Sequence, residues 1–203
     1  VPGEIRSNIK LAESDVRITD INGPGPRVSE AAQQDLFDRL VQIAPGHDVV
    51  VIAGSLPQGV SAHWLQALIV RLKKLGLNVA LDTSGEALRV ALKAGPWLIK
   101  PNTEELADAL GCEVVSVAAQ AKAASRLHAL GIEHVVISHG ADGVNWFSVG
   151  SALHATPPKV SVASTVGAGD SLLAGMLHGL LSADTPEQTL RTATAIAAMA
   201  VTQ

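Results

Sequence analysis

The chain has 203 residues, of which 47% are hydrophobic, 17% charged and 2% aromatic, with a formal charge of −4. An apolar fraction of that size excludes intrinsic disorder, because burial can offset the entropy of ordering, and the length suits one ordinary domain. The dispersed, weakly acidic charge and the absence of Tyr exclude nucleic acid and anionic membrane surfaces as natural partners.

The single cysteine, Cys112, cannot form an intrachain disulfide and suits a reducing compartment. The opening Val1-Pro2-Gly3-Glu4-Ile5-Arg6 carries neither a basic leader nor an apolar core segment. The longest apolar run, Leu172 to Leu181, is about half the ~20 residues that a membrane span needs. The expectation is a soluble, cytoplasmic protein with no membrane partner.

Along the chain, Ile5 to Leu11 alternates, with Arg6, Asn8 and Lys10 on one face, and predicts a strand. A second short strand is expected around Arg17 to Ile21, before the breaker-rich Asn22-Gly23-Pro24-Gly25-Pro26. Residues 1–26 thus read as a small appended sheet and hinge, and residues 27–203 as the main body. Ser29 is a good N-cap for a helix to about Ala44, which Pro45-Gly46 ends. Val49 to Ala53 is continuously apolar, as expected of a strand buried on both faces of a parallel sheet. Ser61 then caps a helix to Leu75. Strands are expected at Asn78–Asp82, Trp97–Lys100 and His134–Ser138. Between them fall helices at Glu86–Lys93, Asn102–Leu110 and Ser116–Leu130. An antiparallel pair near Val144–Val149 and Ala152–Ala155 follows, then helices at Ala168–Ser182 and Pro186–Thr202. Strands alternating with helices predict βαβ units and a parallel sheet covered on both sides. Ligands of such sheets bind beyond the carboxyl ends of the strands. Here those ends carry Gly54-Ser55, Asp82, Lys100-Pro101-Asn102 and Ser138-His139-Gly140.

The strongest constellation is Ser164-Thr165-Val166-Gly167-Ala168-Gly169-Asp170-Ser171, leading into an apolar helix. Glycines at a helix start let backbone N–H groups approach an oxyanion, and the helix dipole adds to that field. An acid directly after such a cradle is chemically informative. Asp170 would repel a phosphate unless its task is to take the proton of a hydroxyl that attacks one. The plainer alternative is a first-turn acid that complements the dipole. No Walker-type loop, complete dinucleotide fingerprint, H-E-x-x-H, C-x-x-C or G-x-S-x-G occurs. The seven histidines show no ligand spacing, and the three tryptophans are dispersed like packing residues.

Four segments together carry a resemblance: Ser164 to Ser171, Lys100-Pro101-Asn102-Thr103-Glu104-Glu105-Leu106, Gly54-Ser55-Leu56-Pro57 and Asp82-Thr83-Ser84-Gly85. In this order they are similar to the PfkB branch of the ribokinase-like carbohydrate kinases, over essentially the whole chain. The resemblance implies a three-layer α/β/α sandwich with a mostly parallel sheet and a small, partial β-lid. It implies ATP and Mg²⁺ as cofactors, with Asp170 as catalytic base and the amides of Gly167, Ala168 and Gly169 as the hole for the transferred phosphoryl. Lys100, Asn102, Glu105, Ser138, Gly140, Ala141, Asp142, Gly143 and Val166 match the nucleotide side. Asn102 and Glu105 would meet Mg²⁺ through water. The same two residues have the spacing of a capping box, and Lys100 alone could be a solvated loop lysine.

On the substrate side, the resemblance assigns Arg6, Asn8, Lys10 and Ser55 to a sugar phosphate, with Asp170 facing its reacting hydroxyl. A cationic face suits a phosphate dianion, although charge on an edge strand also guards against aggregation. Ser164, where many relatives have Asp, favours a phosphorylated sugar over a free one. His139 departs from the Leu usual in the family and leaves any side-chain contact there open. The implied reaction is phosphorylation of fructose 1-phosphate to fructose 1,6-bisphosphate. The alternatives are tagatose 6-phosphate or fructose 6-phosphate as acceptor, or a non-catalytic nucleotide-binding piece of such a kinase. The resemblance also implies a homodimer through the lid strands. Further strands and glycine-rich sugar-gripping motifs are expected before Val1, and a little more helix after Gln203.

Overall fold

The computed structural model of the chain describes residues 3–12 and 18–202. Two strands, β1 (Asn8–Ala12) and β2 (Ile18–Asn22), form a separate antiparallel sheet in which Asn8 faces Asn22 and Ile9 faces Ile21. The ladder ends where the Gly23 amide donates to the Ser7 carbonyl at 2.8 Å. Pro24 and Pro26 follow and have no N–H to extend it. Arg6 therefore precedes the strand instead of lying within it. Arg17, expected to begin the second strand, lies outside the described residues.

The body begins with α1 (Glu30–Ile43) and β3 (Val49–Ala53), followed by α2 (Ala62–Lys74), β4 (Asn78–Asp82) and α3 (Gly85–Ala91). It continues through β5 (Leu98–Ile99), α4 (Thr103–Leu110), α5 (Val117–His128), β6 (His134–Ser138), β7 (Val144–Ser148) and β8 (Ser151–Ala155). Two helices, α6 (Ala168–Leu181) and α7 (Pro186–Ala200), complete it. Serines set the helix starts. Ser29, Ser61 and Ser116 each accept the amide three residues on, at 3.2, 3.1 and 3.2 Å.

The six strands lie in the order β3-β4-β5-β6-β7-β8, parallel through β6 and antiparallel thereafter. Side chains alternate strictly between two cores. Val79, Leu81, Val135 and Ile137 pack with Leu65, Ile69, Leu72, Leu106 and Leu127 of α2, α4 and α5. Ala80, Val136 and Trp146 pack with Leu172, Met176, Leu190 and Ala193 of α6 and α7. The result is the expected three-layer α/β/α sandwich. Its α6–α7 layer is tight: a Cβ on Gly175 would fall 2.6 Å from the Ala193 Cα.

One expectation requires correction. β3 is fully apolar yet stands at the edge of the described sheet, and Val51 is 49% exposed. Composition alone reports that a strand can be buried, whereas burial depends on how many neighbours it receives. Among the described residues β3 has one.

Candidate active site

The carboxyl ends of β4 and β5 bring the first pair together. β4 ends at Asp82, and Lys100 follows the short β5, its amide donating to the Leu81 carbonyl at 3.2 Å. Lys100 Nζ lies 3.1 Å from Asp82 Oδ2, with side chains only 7% and 17% exposed. Burial raises the Asp82 carboxyl above its usual range, while the Lys100 ammonium opposes that rise by charge and hydrogen bond. The Glu105 and Asp170 carboxylates push Asp82 further up by smaller amounts. Those two influences place three acids and one cation in one electrostatic neighbourhood.

Above this pair stands the start of α6. Gly167 is its N-cap with φ 78°, a left-handed conformation that glycine adopts without strain, and no side chain caps the helix. The first intrahelical bond runs from the Ser171 amide to the Gly167 carbonyl at 2.9 Å. The amides of Ala168, Gly169 and Asp170 accordingly fall in the turn that has no intrahelical acceptor. A Cβ on Gly169 would lie 3.1 Å from Lys100 Nζ. The buried ammonium thus sits directly beneath the cradle, and glycine is what lets it do so. Asp170, at the third helical position, is exposed. The Val166 amide is engaged by Ser164 Oγ at 3.2 Å, so Val166 borders the cradle without offering its own donor.

Asn102 caps α4 as a complete capping box. Its Oδ1 accepts the Glu105 amide at 2.8 Å, and Glu105 Oε2 accepts the Asn102 amide at 2.9 Å. The box leaves Glu105 Oε1 without a partner among the described residues. Asn102 also bridges Ser138 at the end of β6, and the Ser138 amide donates to the Pro101 carbonyl at 3.1 Å. Beyond Ser138, Gly140–Asp142 form one 3-10 turn, and Gly143 adopts φ 110° with its Cα against the Ala155 carbonyl of β8. A side chain at 143 would strike that carbonyl. His139 is half-buried and is pushed below its usual pKa, first by burial and then by the His154 charge, with Asp142 opposing.

The lid supplies a second cluster. Arg6 Nη1 donates to Ser55 Oγ, and Arg6 Nε donates to Asn8 Oδ1 at 3.0 Å. Residues 49 positions apart thus meet at the mouth of β3. An open groove of about 340 Å³ runs beside Arg6 between the lid and the Gly23–Pro26 hinge, with Arg27 on its rim. The Lys10 backbone pairs with Asp20 in the ladder; its side chain lies outside the described residues.

Sequence reasoning marks Asp82 as a strand end at the ligand side but gives it no role, and it does not single out Arg27. The role of Asp82 is legible as an acid ending one parallel strand beside a lysine ending the next. Arg27 carries no local signal.

No helix among the described residues is long and apolar enough to cross a membrane. A 1-phosphofructokinase of Vibrio cholerae is 44% identical over 203 residues, covering all of this chain and 64% of that protein. One from Escherichia coli is 42% identical over 203 residues, covering 65% of its length. Among solved structures, Escherichia coli phosphofructokinase-2 in complex with substrates and products superposes with a TM-score of 0.87 at 30% identity. That match covers 96% of this chain and 64% of the other. A possible 1-phosphofructokinase of Thermotoga maritima gives 0.86 at 25% identity, covering 100% and 65%. The chain therefore spans 64–65% of the length of these curated relatives. The model of the pfkB family carbohydrate kinases matches residues 1–203, and with the cradle, the lid and the three-layer fold in place, the chain belongs to that family.

Proposed function

We propose that this chain forms the nucleotide and catalytic part of a kinase that transfers the γ-phosphoryl of ATP to the free primary hydroxyl of fructose 1-phosphate. The observation that carries this reading is the uncapped α6 start, with Asp170 in its first turn and the buried Lys100 ammonium beneath it. Asp170 takes the hydroxyl proton as the oxygen bonds to the γ-phosphorus and the bond to the departing ADP oxygen breaks. The amides of Gly167, Ala168 and Gly169 donate to the oxygens of the moving phosphoryl, and Lys100 adds positive potential. Ser138 and Gly140–Gly143 border the nucleotide on the other side.

Among the described residues no group of three or more His, Cys, Asp or Glu could hold a metal. Mg²⁺ in phosphoryl-transfer sites binds mainly through phosphates and water, with few protein ligands. Asn102 and Glu105 would hold its water, Glu105 through the oxygen that its capping box leaves open. The ion, when bound, neutralises triphosphate charge.

The sugar phosphate falls to Arg6, Asn8, Ser55 and Lys10. A guanidinium beside an open groove suits a phosphate dianion. The names of the curated relatives, 1-phosphofructokinases at 36–44% identity, favour fructose 1-phosphate. A coupled ADP-release assay on the protein as its gene encodes it, with fructose 1-phosphate, fructose 6-phosphate and tagatose 6-phosphate, tests the choice. The highest kcat/KM is expected for the first. A higher value for either other sugar overturns the substrate assignment. Absence of turnover together with a Mg·ATP thermal shift identifies a non-catalytic nucleotide-binding piece. Arg6→Ala is expected to raise the sugar-phosphate KM by about ten- to a hundredfold, the worth of a hydrogen bond to a charged group, with the ATP KM unchanged. An unaltered sugar-phosphate KM removes Arg6 from the site.

The lid also suits self-association. Ile9 and Ile21 lie directly opposite each other and are 53% and 51% exposed, an apolar pair that a second copy would cover. Sedimentation is expected to show a dimer, and Ile9→Glu a monomer. A wild-type monomer at all concentrations removes this surface.

A further inference from the structure

Behind the nucleotide loop lies a polar network that the reaction does not use. The Gln120 side chain donates to the Val114 carbonyl at 3.0 Å, and Asn145 donates to Gln120 Oε1 at 2.7 Å. Asn145 Nδ2 is 3.1 Å from His139 Nε2, and Asn145 Oδ1 is 2.7 Å from His154 Nδ1. His139 Nδ1 then meets Thr103 Oγ1 of α4 at 3.1 Å, and His154 Nε2 meets Thr156 Oγ1 at 3.2 Å. Gln120 and Asn145 are buried. The network joins five parts of the fold: α5, β7, β8, the loop after β6, and the first turn of α4.

Hydrogen-bond polarity fixes the amide orientations and the His139 tautomer in it. A carbonyl only accepts, so Gln120 must turn its amide nitrogen to Val114 and its oxygen to Asn145. Asn145 must therefore present its nitrogen to Gln120, and the same nitrogen has one hydrogen left for His139. His139 Nε2 must then be a bare lone pair, which puts the proton of the neutral ring on Nδ1, donating to Thr103. Asn145 Oδ1 in turn requires N–H at His154 Nδ1. A second proton on His139 would set N–H against N–H at Asn145. A second proton on His154 would meet only the Thr156 hydroxyl, which can accept. Of the two imidazoles, only His139 is locked in one state. The charged and titratable groups around it are Asp142 on its own loop and His154 on β8; burial and, by less, His154 disfavour a second proton on the ring, while Asp142 opposes them.

We propose that His139, as a neutral Nδ1–H imidazole, is a positioning residue that fixes the Gly140–Gly143 loop against the amino end of α4 and thereby sets nucleotide affinity. The placement supports this. The His139 amide donates to the Gly143 carbonyl at 2.9 Å, so the ring anchors the base of the turn. Thr103 is the residue after Asn102, so the anchor ends one position from the capping box. Fixing this spacing aligns both walls of the nucleotide site. The inference rests on the nucleotide-site reading given above.

The first measurement needs no nucleotide. Long-range ¹H–¹⁵N spectra of the wild-type protein are expected to show His139 as the Nδ1–H tautomer, neutral at pH values where a free imidazole is charged. An Nε2–H tautomer, or titration near the ordinary value of about 6.5, overturns the inference and leaves the kinase reading standing. The second is calorimetry with Mg·ATP on wild type, His139→Leu and Thr103→Val, the last removing the acceptor while keeping the shape. Both variants are expected to bind about tenfold more weakly, the factor for one lost hydrogen bond of positioning, with kcat changed little. Wild-type affinity in folded variants overturns the inference alone. Absence of Mg·ATP binding by the wild type overturns the nucleotide-site reading and the inference with it.

Discussion

Asp170→Asn is expected to lower kcat by about 10²- to 10⁴-fold, the usual contribution of a positioned general base, while Mg·ATP binds as well as before or better. The direction of the binding change follows from charge. Asp170 stands in the first turn of α6, where three amides lack intrahelical acceptors and the dipole favours anions. A carboxylate there repels the triphosphate, and the isosteric amide removes the repulsion without disturbing the backbone donors. Only proton removal from the attacking hydroxyl is lost. The alternative, an acid that merely complements the helix dipole, predicts the reverse. Asn would then cost about 0.3–1 kcal/mol of stability and leave kcat alone. A steady-state assay combined with a thermal melt separates the two, and an unchanged kcat ends the base assignment.

The parts of the fold legible in the sequence are those written locally. Ser29, Ser61 and Ser116 announce their helices because an N-cap acts within three residues. The Asn102/Glu105 spacing gives the capping box for the same reason. The edge position of β3 is illegible, because Val49 to Ala53 reads identically whether the strand has one neighbour or two. Arg6 and Ser55 meet only because the lid folds back over the end of β3, so a family resemblance could assign each to the substrate side while no local spacing showed that they touch. Asn145 and His154 look like the solvent-facing half of two alternating strands. What makes them a network is the antiparallel register, which sets Asn145 opposite His154, and a helix that brings Gln120 against them. Lys100 is the clearest case. The sequence places it at a strand end and leaves a solvated lysine open; it is buried because β4 and β5 are adjacent and end at the same level.

Lys100→Met is expected to cost about 3–5 kcal/mol of stability, since removing one partner of a buried pair strands the other charge. The stranded group is Asp82, which burial already pushes above its usual pKa even with the ammonium beside it. Without that opposing influence the carboxyl rises further. An acid whose folded pKa lies above its unfolded value binds more protons in the native state. Its penalty is therefore absent below the unfolded pKa, grows as pH rises, and is complete above the folded pKa. The deficit of Lys100→Met relative to wild type should accordingly widen from acid toward neutral pH in thermal or urea unfolding. Lys100→Met/Asp82→Asn is expected to recover most of the lost stability, because no charge is left buried, and to flatten that pH dependence. Nucleotide affinity should not recover with it. The ammonium lies under Gly169, where its field reaches the phosphate cradle, and neither methionine nor asparagine replaces that charge. Stability restored with Mg·ATP binding still weak places Lys100 in both the core and the site. Recovery of both together makes the lysine a structural partner of Asp82 alone.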